Sequence, residues 1–193
     1  MAEKSSVDDF DFTGTFAHAG AAPEPTLTDA QLKHIDDQGM IGATALQSDG
    51  YYARIVNAET FRAPGAPGAP GETTILVIED DPGTAAVIVK VLQATGYLTR
   101  HAANRDEIVA AFSRKPMPDI VLLDVMLPGL NGFDVLNRIR HNPKLKAIPV
   151  IMLTSLGERA DIVKGLCYGA DGYLTKPALP SALIEAIRAV SGG

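Results

Sequence analysis

Four apolar runs each end in side chains able to do chemistry. Ile75 to Ile78 leads into Glu79-Asp80-Asp81, Ile120 to Leu123 into Asp124, Val150 to Leu153 into Thr154-Ser155, and Tyr173 to Thr175 into Lys176-Pro177. If the runs are neighbouring parallel strands, three or four carboxylates, a hydroxyl and a lysine converge on one rim. Clustered carboxylates repel and raise one another's pKa unless a cation sits among them. Hard oxygen ligands with open water positions suit magnesium. A carboxylate in such a neutralised cluster can attack phosphorus and form an aspartyl phosphate. Lys176 would then meet the incoming phosphoryl oxygens, and the Thr154 hydroxyl would donate to one of them.

The elements that would position these groups follow from periodicity. Thr73 to Ile78 is rich in β-formers, Pro82 to Thr95 has helical length and period, and Gly96 follows as a C-terminal stop. Tyr97 to Ala102 is a weaker strand, and Asn104 caps a helix through about Ser113. Asp119 to Asp124 is a buried strand, followed by a Pro/Gly loop and a helix from about Gly132 to His141. Ile148 to Thr154, Glu158 to Tyr168, Gly172 to Thr175 and Pro180 to Val190 continue the alternation of strand and helix. Repeated βα units with continuously apolar strands indicate an α/β fold: a doubly wound parallel sheet covered on both faces. Such sheets bind ligands at the carboxyl ends of their strands.

Four stretches now carry a resemblance: ILVIEDDP at 75–82, DIVLLDVMLPGLNGFDVL at 119–136, IPVIMLTS at 148–155 and GADGYLTKP at 169–177. In this order and spacing, residues 73 to 191 resemble the receiver domain of bacterial two-component response regulators. The resemblance implies a flavodoxin-like, five-stranded parallel sheet of order 2-1-3-4-5. It makes Asp124 the phosphoacceptor and Glu79 and Asp80 the acidic pair serving Mg²⁺ with Asp124. The backbone carbonyl of Met126 would be a further metal ligand. Thr154 becomes the switch hydroxyl, Lys176 the phosphoryl-binding lysine before a cis Pro177, and Tyr173 the aromatic switch. Pro128 and Gly132 match the loop after the acceptor. The implied partners are a histidine kinase or histidine phosphotransfer protein and a downstream protein target. On phosphorylation, Thr154 would move toward the phosphoryl group and Tyr173 would turn into the space released. The population would shift toward an active surface made by the fourth helix, fifth strand and fifth helix of the repeat.

The resemblance implies a phosphoacceptor signalling domain with self-phosphorylation and slow autodephosphorylation chemistry, rather than an enzyme. No output sequence is expected after the last helix. A relay intermediate passing the phosphoryl group onward is the first alternative, and a phosphorylation-independent interaction module a weaker one. A phosphatase with an aspartyl-phosphate intermediate would want a general-acid aspartate two residues past the nucleophile, where Met126 stands. Met126 and Leu156, being apolar beside the acceptor and the switch threonine, cannot orient an attacking water. They imply a phosphoryl half-life of minutes or more.

The rest of the chain differs in kind. Ala63-Pro64-Gly65-Ala66-Pro67-Gly68-Ala69-Pro70-Gly71 is a threefold repeat that reads as a linker. Residues 1–72 hold 11 acidic and 4 basic side chains, and residues 73–193 hold 12 and 13, so the net charge of -6 belongs to the N-terminal part. Three units follow: an acidic extension over 1–62, a linker over 63–72 and a receiver over 73–193. Most of the extension is expected to be disordered. Within it, Thr28-Asp29-Ala30-Gln31 has capping-box spacing, with Leu32 and Ile35 on one helical face. Ile41 to Leu46 suggests a second short helix, and Tyr51 to Val56 an element of either type. The segment has too few large apolar residues for its own core, so it packs on something or stays loose.

Charge and composition exclude several classes. A net of -6 argues against direct nucleic-acid binding. One cysteine, Cys167, gives no disulfide framework and suits a reducing compartment. His18, His34, His101 and His141 lack ligand spacing. With no long apolar run and no signal-like N-terminus, a cytoplasmic protein off the membrane is expected. A phosphorylation-dependent homodimer is compatible with all of this.

Two surfaces go beyond the family pattern. Val87, Ile88, Val91 and Leu92 read as the core face of the first receiver helix, which leaves Ala85, Ala86 and Val89 as an outward apolar strip. Arg138, Arg140, Lys144 and Lys146 form a basic end to the helix after the acceptor loop. The strip could receive residues 26–62 or a partner helix, and the basic end is a candidate docking site for the acidic extension.

Overall fold

The computed structural model describes residues 25–53, 71–155 and 159–191. Their elements are α1 (Asp29–Asp49), β1 (Tyr51–Ala53), β2 (Thr74–Ile78), α2 (Pro82–Ala94), β3 (Leu98–Ala102), α3 (Arg105–Ser113) and β4 (Ile120–Asp124). Then follow β5 (Met126–Leu127), β6 (Leu130–Asn131), α4 (Gly132–His141), β7 (Val150–Thr154), α5 (Arg159–Cys167), β8 (Gly172–Thr175) and α6 (Pro180–Ser191).

The central strands β2, β4 and β7 are buried at every position, as parallel strands covered on both faces must be. Alternate side chains enter opposite cores. Leu76 and Ile78 join Ile108 and Phe112 of α3, Phe133 and Leu136 of α4, and Ile162 and Leu166 of α5. Ile75 and Val77 join Ile88 and Leu92 of α2 and Leu183 and Ile187 of α6. The parallel strands lie in the order β3-β2-β4-β7-β8, the 2-1-3-4-5 order of a flavodoxin-like receiver sheet.

Local chemistry sets the helix starts. Asp81 caps α2, its Oδ1 accepting from Thr84 N at 2.7 Å, with Pro82 in the first turn. Asn104 caps α3 through Glu107 N, and Asn131 caps α4 through Phe133 N. Arg138, Arg140 and His141 fall in the last turn of α4, where positive charge suits the helix dipole.

A sixth strand joins the sheet beyond what the βα pattern of residues 73–193 provides. β1 pairs antiparallel with β8, aligning Tyr51 with Leu174, Tyr52 with Tyr173 and Ala53 with Gly172. The Thr28 capping box is present: Gln31 N donates to Thr28 Oγ1, and Thr28 N donates to Gln31 Oε1. The two short helices expected after it are instead one helix of 21 residues, α1. Its interior glycines would weaken an isolated helix. Here they permit close packing, because a Cβ on Gly42 would stand 3.1 Å from both Ile162 Cγ2 and Tyr52 Cδ1. Gly50, at φ 76, makes the left-handed turn from α1 into β1. Ile35 and Leu46 bury against the α5 side of the core at about 1.5–3 kcal/mol each. Of the extension expected to be mostly disordered, residues 1–24 and 54–62 lie outside the described residues, as does the linker over 63–70.

The described part of the extension, residues 25–53, docks elsewhere than expected. α1 packs on α5, and β1 on β8 and α6, rather than on α2 or α4. On α2, Ala85, Ile88 and Leu92 are buried while Val87 is 57% exposed, so the helix is turned relative to the expected core face. Val89 is half-buried and packs on the core. Arg140 is likewise not part of a free basic patch. Its guanidinium pairs with Asp171 at 2.6 Å and donates to the carbonyls of Gly169, Ile148 and Lys146.

Among the described residues, no helix is long and apolar enough to cross a membrane.

Candidate functional site

The parallel register places the end of β2 beside the end of β4, with Ile78 aligned to Leu123. Glu79 and Asp124 therefore emerge side by side at one rim. Both are nearly inaccessible, at 1% and 4% exposure, and Asp80 is half-buried next to them. One oxygen from each of Glu79, Asp80 and Asp124 falls within a sphere of contacts no wider than 4.8 Å.

Lys176, directly after β8, reaches across this rim. Its Nζ lies 2.5 Å from Glu79 Oε2 and 2.8 Å from Asp124 Oδ2. The other oxygen of each acid meets backbone: Asp81 N donates to Glu79 Oε1 at 3.3 Å, and Met126 N donates to Asp124 Oδ1 at 3.2 Å. Lys176 is itself fixed by its backbone N–H, which donates to Thr154 O at 2.8 Å, and the Lys176-Pro177 peptide is cis, as expected. Thr154 is buried at the end of β7, one residue beyond Leu153, the partner of Asp124 in the ladder. Lysine, threonine and aspartate thus come from adjacent strand ends.

The electrostatics show what the cluster lacks. Burial pushes the Glu79 carboxyl above its ordinary value, and the Asp124 charge adds to this, while Lys176 offsets only part. For Lys176, burial works to depress the pKa, but the hydrogen bonds and charges of Asp124 and Glu79 outweigh it and raise the value. Three carboxylates against one ammonium leave the rim short of positive charge. Glu79 Oε2 is buried and meets the Lys176 ammonium, with no further hydrogen-bond donor among the described residues. An all-oxygen donor set holding an under-coordinated buried carboxylate oxygen fits a divalent cation such as Mg²⁺. Asp81 is outside this group, and its carboxylate serves as the α2 cap, with a pKa lowered by the Thr84 hydrogen bonds.

The loop after Asp124 is tightly built. β5 and β6 pair across Pro128-Gly129, where Gly129 takes a φ of 69. A Cβ on Gly132 would lie 2.1 Å from Asp124 O, so only glycine lets α4 begin this close to the acid's own backbone. Met126 is 69% exposed at the rim, while its expected companion Leu156 lies outside the described residues.

Tyr173 is fully buried, and its hydroxyl reaches under α5 toward the carbonyls of Ile162 at 3.1 Å and Asp161 at 3.3 Å. Burial raises its pKa strongly. Sequence reasoning singled out Tyr173 but missed Gly165, the α5 residue that makes room for the phenol, and Tyr52, its partner across the ladder. The available signals were slight: a glycine inside a helical run and a tyrosine pair after Gly50.

Known proteins share this sequence pattern and fold. A family model described as the response regulator receiver domain matches residues 75–188. The phosphate regulon transcriptional regulatory protein PhoB of Escherichia coli is 40% identical over 116 residues, covering 60% of this chain and 50% of that protein. The chain thus spans about half the length of the curated relatives it matches. The signal receiver domain of a signal transduction histidine kinase from Syntrophus aciditrophicus superposes with a TM-score of 0.56 at 36% identity, covering 62% of this chain and 91% of the other. The receiver domain of sensor histidine kinase PA1611 from Pseudomonas aeruginosa, solved with a magnesium ion in its active-site cleft, gives 0.56 at 29% identity, covering 63% and 98%. With a matching model over most of residues 73–193, the expected sheet order and a rim of acids bridged by lysine, the chain belongs to the response regulator receiver domain family.

Proposed function

We propose that this chain accepts a phosphoryl group on Asp124 from a phosphohistidine of a kinase or phosphotransfer protein and signals through a change at the α5–β8–α6 face. The observation that carries the reading is Lys176 bridging Glu79 and Asp124 at the joined ends of three strands. In the transfer, an Asp124 carboxylate oxygen forms the new P–O bond as the P–N bond to the donor imidazole breaks, and the imidazole leaves with the bonding electron pair. Lys176 exchanges its carboxylate partner for a phosphoryl oxygen, and Thr154 supplies a hydroxyl to another. Glu79, Asp80, Asp124 and the Met126 carbonyl would hold Mg²⁺, which supplies charge neutralisation for the phosphoryl oxygens when bound. The main-chain N–H of Met126 orients Asp124 for attack. Downstream contacts are read as protein contacts, in keeping with the chain's net charge of -6.

Incubation with acetyl phosphate and Mg²⁺, followed by a phosphate-retarding gel, tests the reading. A retarded band is expected for the wild type and not for Asp124→Asn. A wild type that shows no retarded band overturns it.

A further inference from the structure

The face that would carry the signal is already occupied by the chain itself. β1 completes the free edge of β8 in register, and Thr175 donates both its backbone N–H and its hydroxyl to Gly50 O, at 3.0 and 3.1 Å. α1 lies on α5 with Ile35, Gly39, Gly42 and Leu46 turned inward. Tyr51 and Ala53 flank the α6 side, where Ala182 and Leu183 are buried. Tyr52 ties strand to helix by donating its hydroxyl to Gln38 Oε1 at 2.6 Å.

Complementarity exists on both partners. On the receiver side, a Cβ at Gly172 would stand 2.9 Å from Tyr52 O, so a side chain there would obstruct β1. On the extension side, a Cβ at Gly42 would stand 3.1 Å from Ile162 Cγ2. Neither close approach would exist without the partner segment. Residues 29–53 are therefore a fitted ligand for this surface, an antiparallel strand preceded by a helix whose inward face sets Gly39 and Gly42 between Ile35 and Leu46.

The ligand and the phosphoryl site share one element. β8 pairs with β7, which ends in Thr154, along one edge and with β1 along the other, and it runs directly into Lys176. Tyr173 links the same parts sideways: its backbone faces Tyr52, while its hydroxyl supports the carbonyls of Asp161 and Ile162 in α5, on which α1 rests. If Tyr173 turns toward Thr154, α5 loses that support and the space beside Gly165 empties.

We infer that residues 29–53 act as a built-in ligand covering the α5–β8–α6 face, and that phosphorylation of Asp124 loosens their hold and opens the β8 edge to an incoming strand of a partner protein. This rests on the reading of Asp124 as phosphoacceptor. The coupling is reciprocal, so a bound cover resists the phosphorylated arrangement to the same degree.

Amide hydrogen exchange on the full chain with Mg²⁺, with and without acetyl phosphate, tests it, a phosphate-retarding gel reporting the acyl phosphate in each sample. Phosphorylation is expected to speed exchange in residues 29–53 by roughly tenfold or more, since opening of a docked segment sets its protection. The central strands β2 and β4 should stay protected, and Asp124→Asn should not respond. Unchanged or slower exchange in residues 29–53 of a sample that the gel shows to be phosphorylated overturns the inference. A gel without acyl phosphate counts against the acceptor reading, and Gly42→Leu then interrogates the cover alone. That variant should speed exchange in residues 29–53 and along β8 with β4 unaffected, and protection equal to wild type would exclude the cover.

Discussion

The hydroxyl of Tyr173 fills the space in which a side chain at position 165 would begin: a Cβ built on Gly165 would stand 1.6 Å from that oxygen. Helix and strand are thus locked at a point where neither can change alone. Gly165→Val should lower stability by about 1–3 kcal/mol through overpacking, read as a fall in urea midpoint. Tyr173→Phe, losing one hydrogen bond to the α5 carbonyls, should cost about 1 kcal/mol. Gly165→Ala combined with Tyr173→Phe should be more stable than the sum of the single changes, because removing the hydroxyl takes away the closest contact and leaves the ring carbon Cζ, at 2.8 Å, to shift. Additive effects would show that the two residues do not meet.

Protons and metal compete at Glu79. Because burial raises its pKa in the fold, it holds a proton at pH values above the ordinary glutamate range. Mg²⁺ or Mn²⁺ affinity should therefore climb as pH rises through and above 4.5, as seen by calorimetric titration. Without metal, the sign for stability is opposite. A carboxyl whose folded pKa is raised contributes stability that is full below 4.5 and is lost as pH rises through the folded value. Glu79→Gln should flatten both dependences.

Arg140 is a structural clamp. Its guanidinium joins the end of α4 to Asp171, whose Oδ2 also accepts from Val150 N at 2.7 Å, and to three carbonyls. Arg140→Ala should cost about 3–5 kcal/mol in chemical denaturation, since it strands a largely buried carboxylate. Arg140→Lys should recover little, because a point charge cannot reproduce a forked donor.

Met126, whose backbone N–H donates to Asp124 Oδ1, carries an apolar, largely exposed side chain. Replacing it with a polar group able to orient water, as in Met126→Asn, should shorten the lifetime of the acyl phosphate several-fold, followed as loss of the retarded band with time. An unchanged lifetime would show that water reaches the phosphorus by another route.

How far the sequence could be read depended on the range of the interactions involved. Glu79, Asp124, Thr154 and Lys176 were legible because each ends an apolar run, and parallel strands bring such ends to one rim without any knowledge of side-chain packing. The Thr28 capping box was legible for a different reason, being a contact over three residues. Arg140 was misread as surface because nothing in the charge pattern of α4 reveals Asp171, 31 positions away. α1 was read as two pieces because Gly39 and Gly42 lower local helix propensity, while Gly42 packs closely on Ile162, which belongs to another element. Val87 was placed inward on period alone, while the rotation of α2 follows Ala85, Ile88 and Leu92 against the sheet.

The added strand also alters how the sheet meets other molecules. Without β1, β8 would be an outermost strand with its outward N–H and C=O groups open to any extended chain, the usual starting point for edge-to-edge aggregation. The three-residue β1 closes that side, and its shortness leaves little edge of its own. Removing residues 25–53 would therefore not yield simply a smaller protein. It would expose a template for strand addition, and the trimmed chain should self-associate at concentrations where the intact chain stays dispersed.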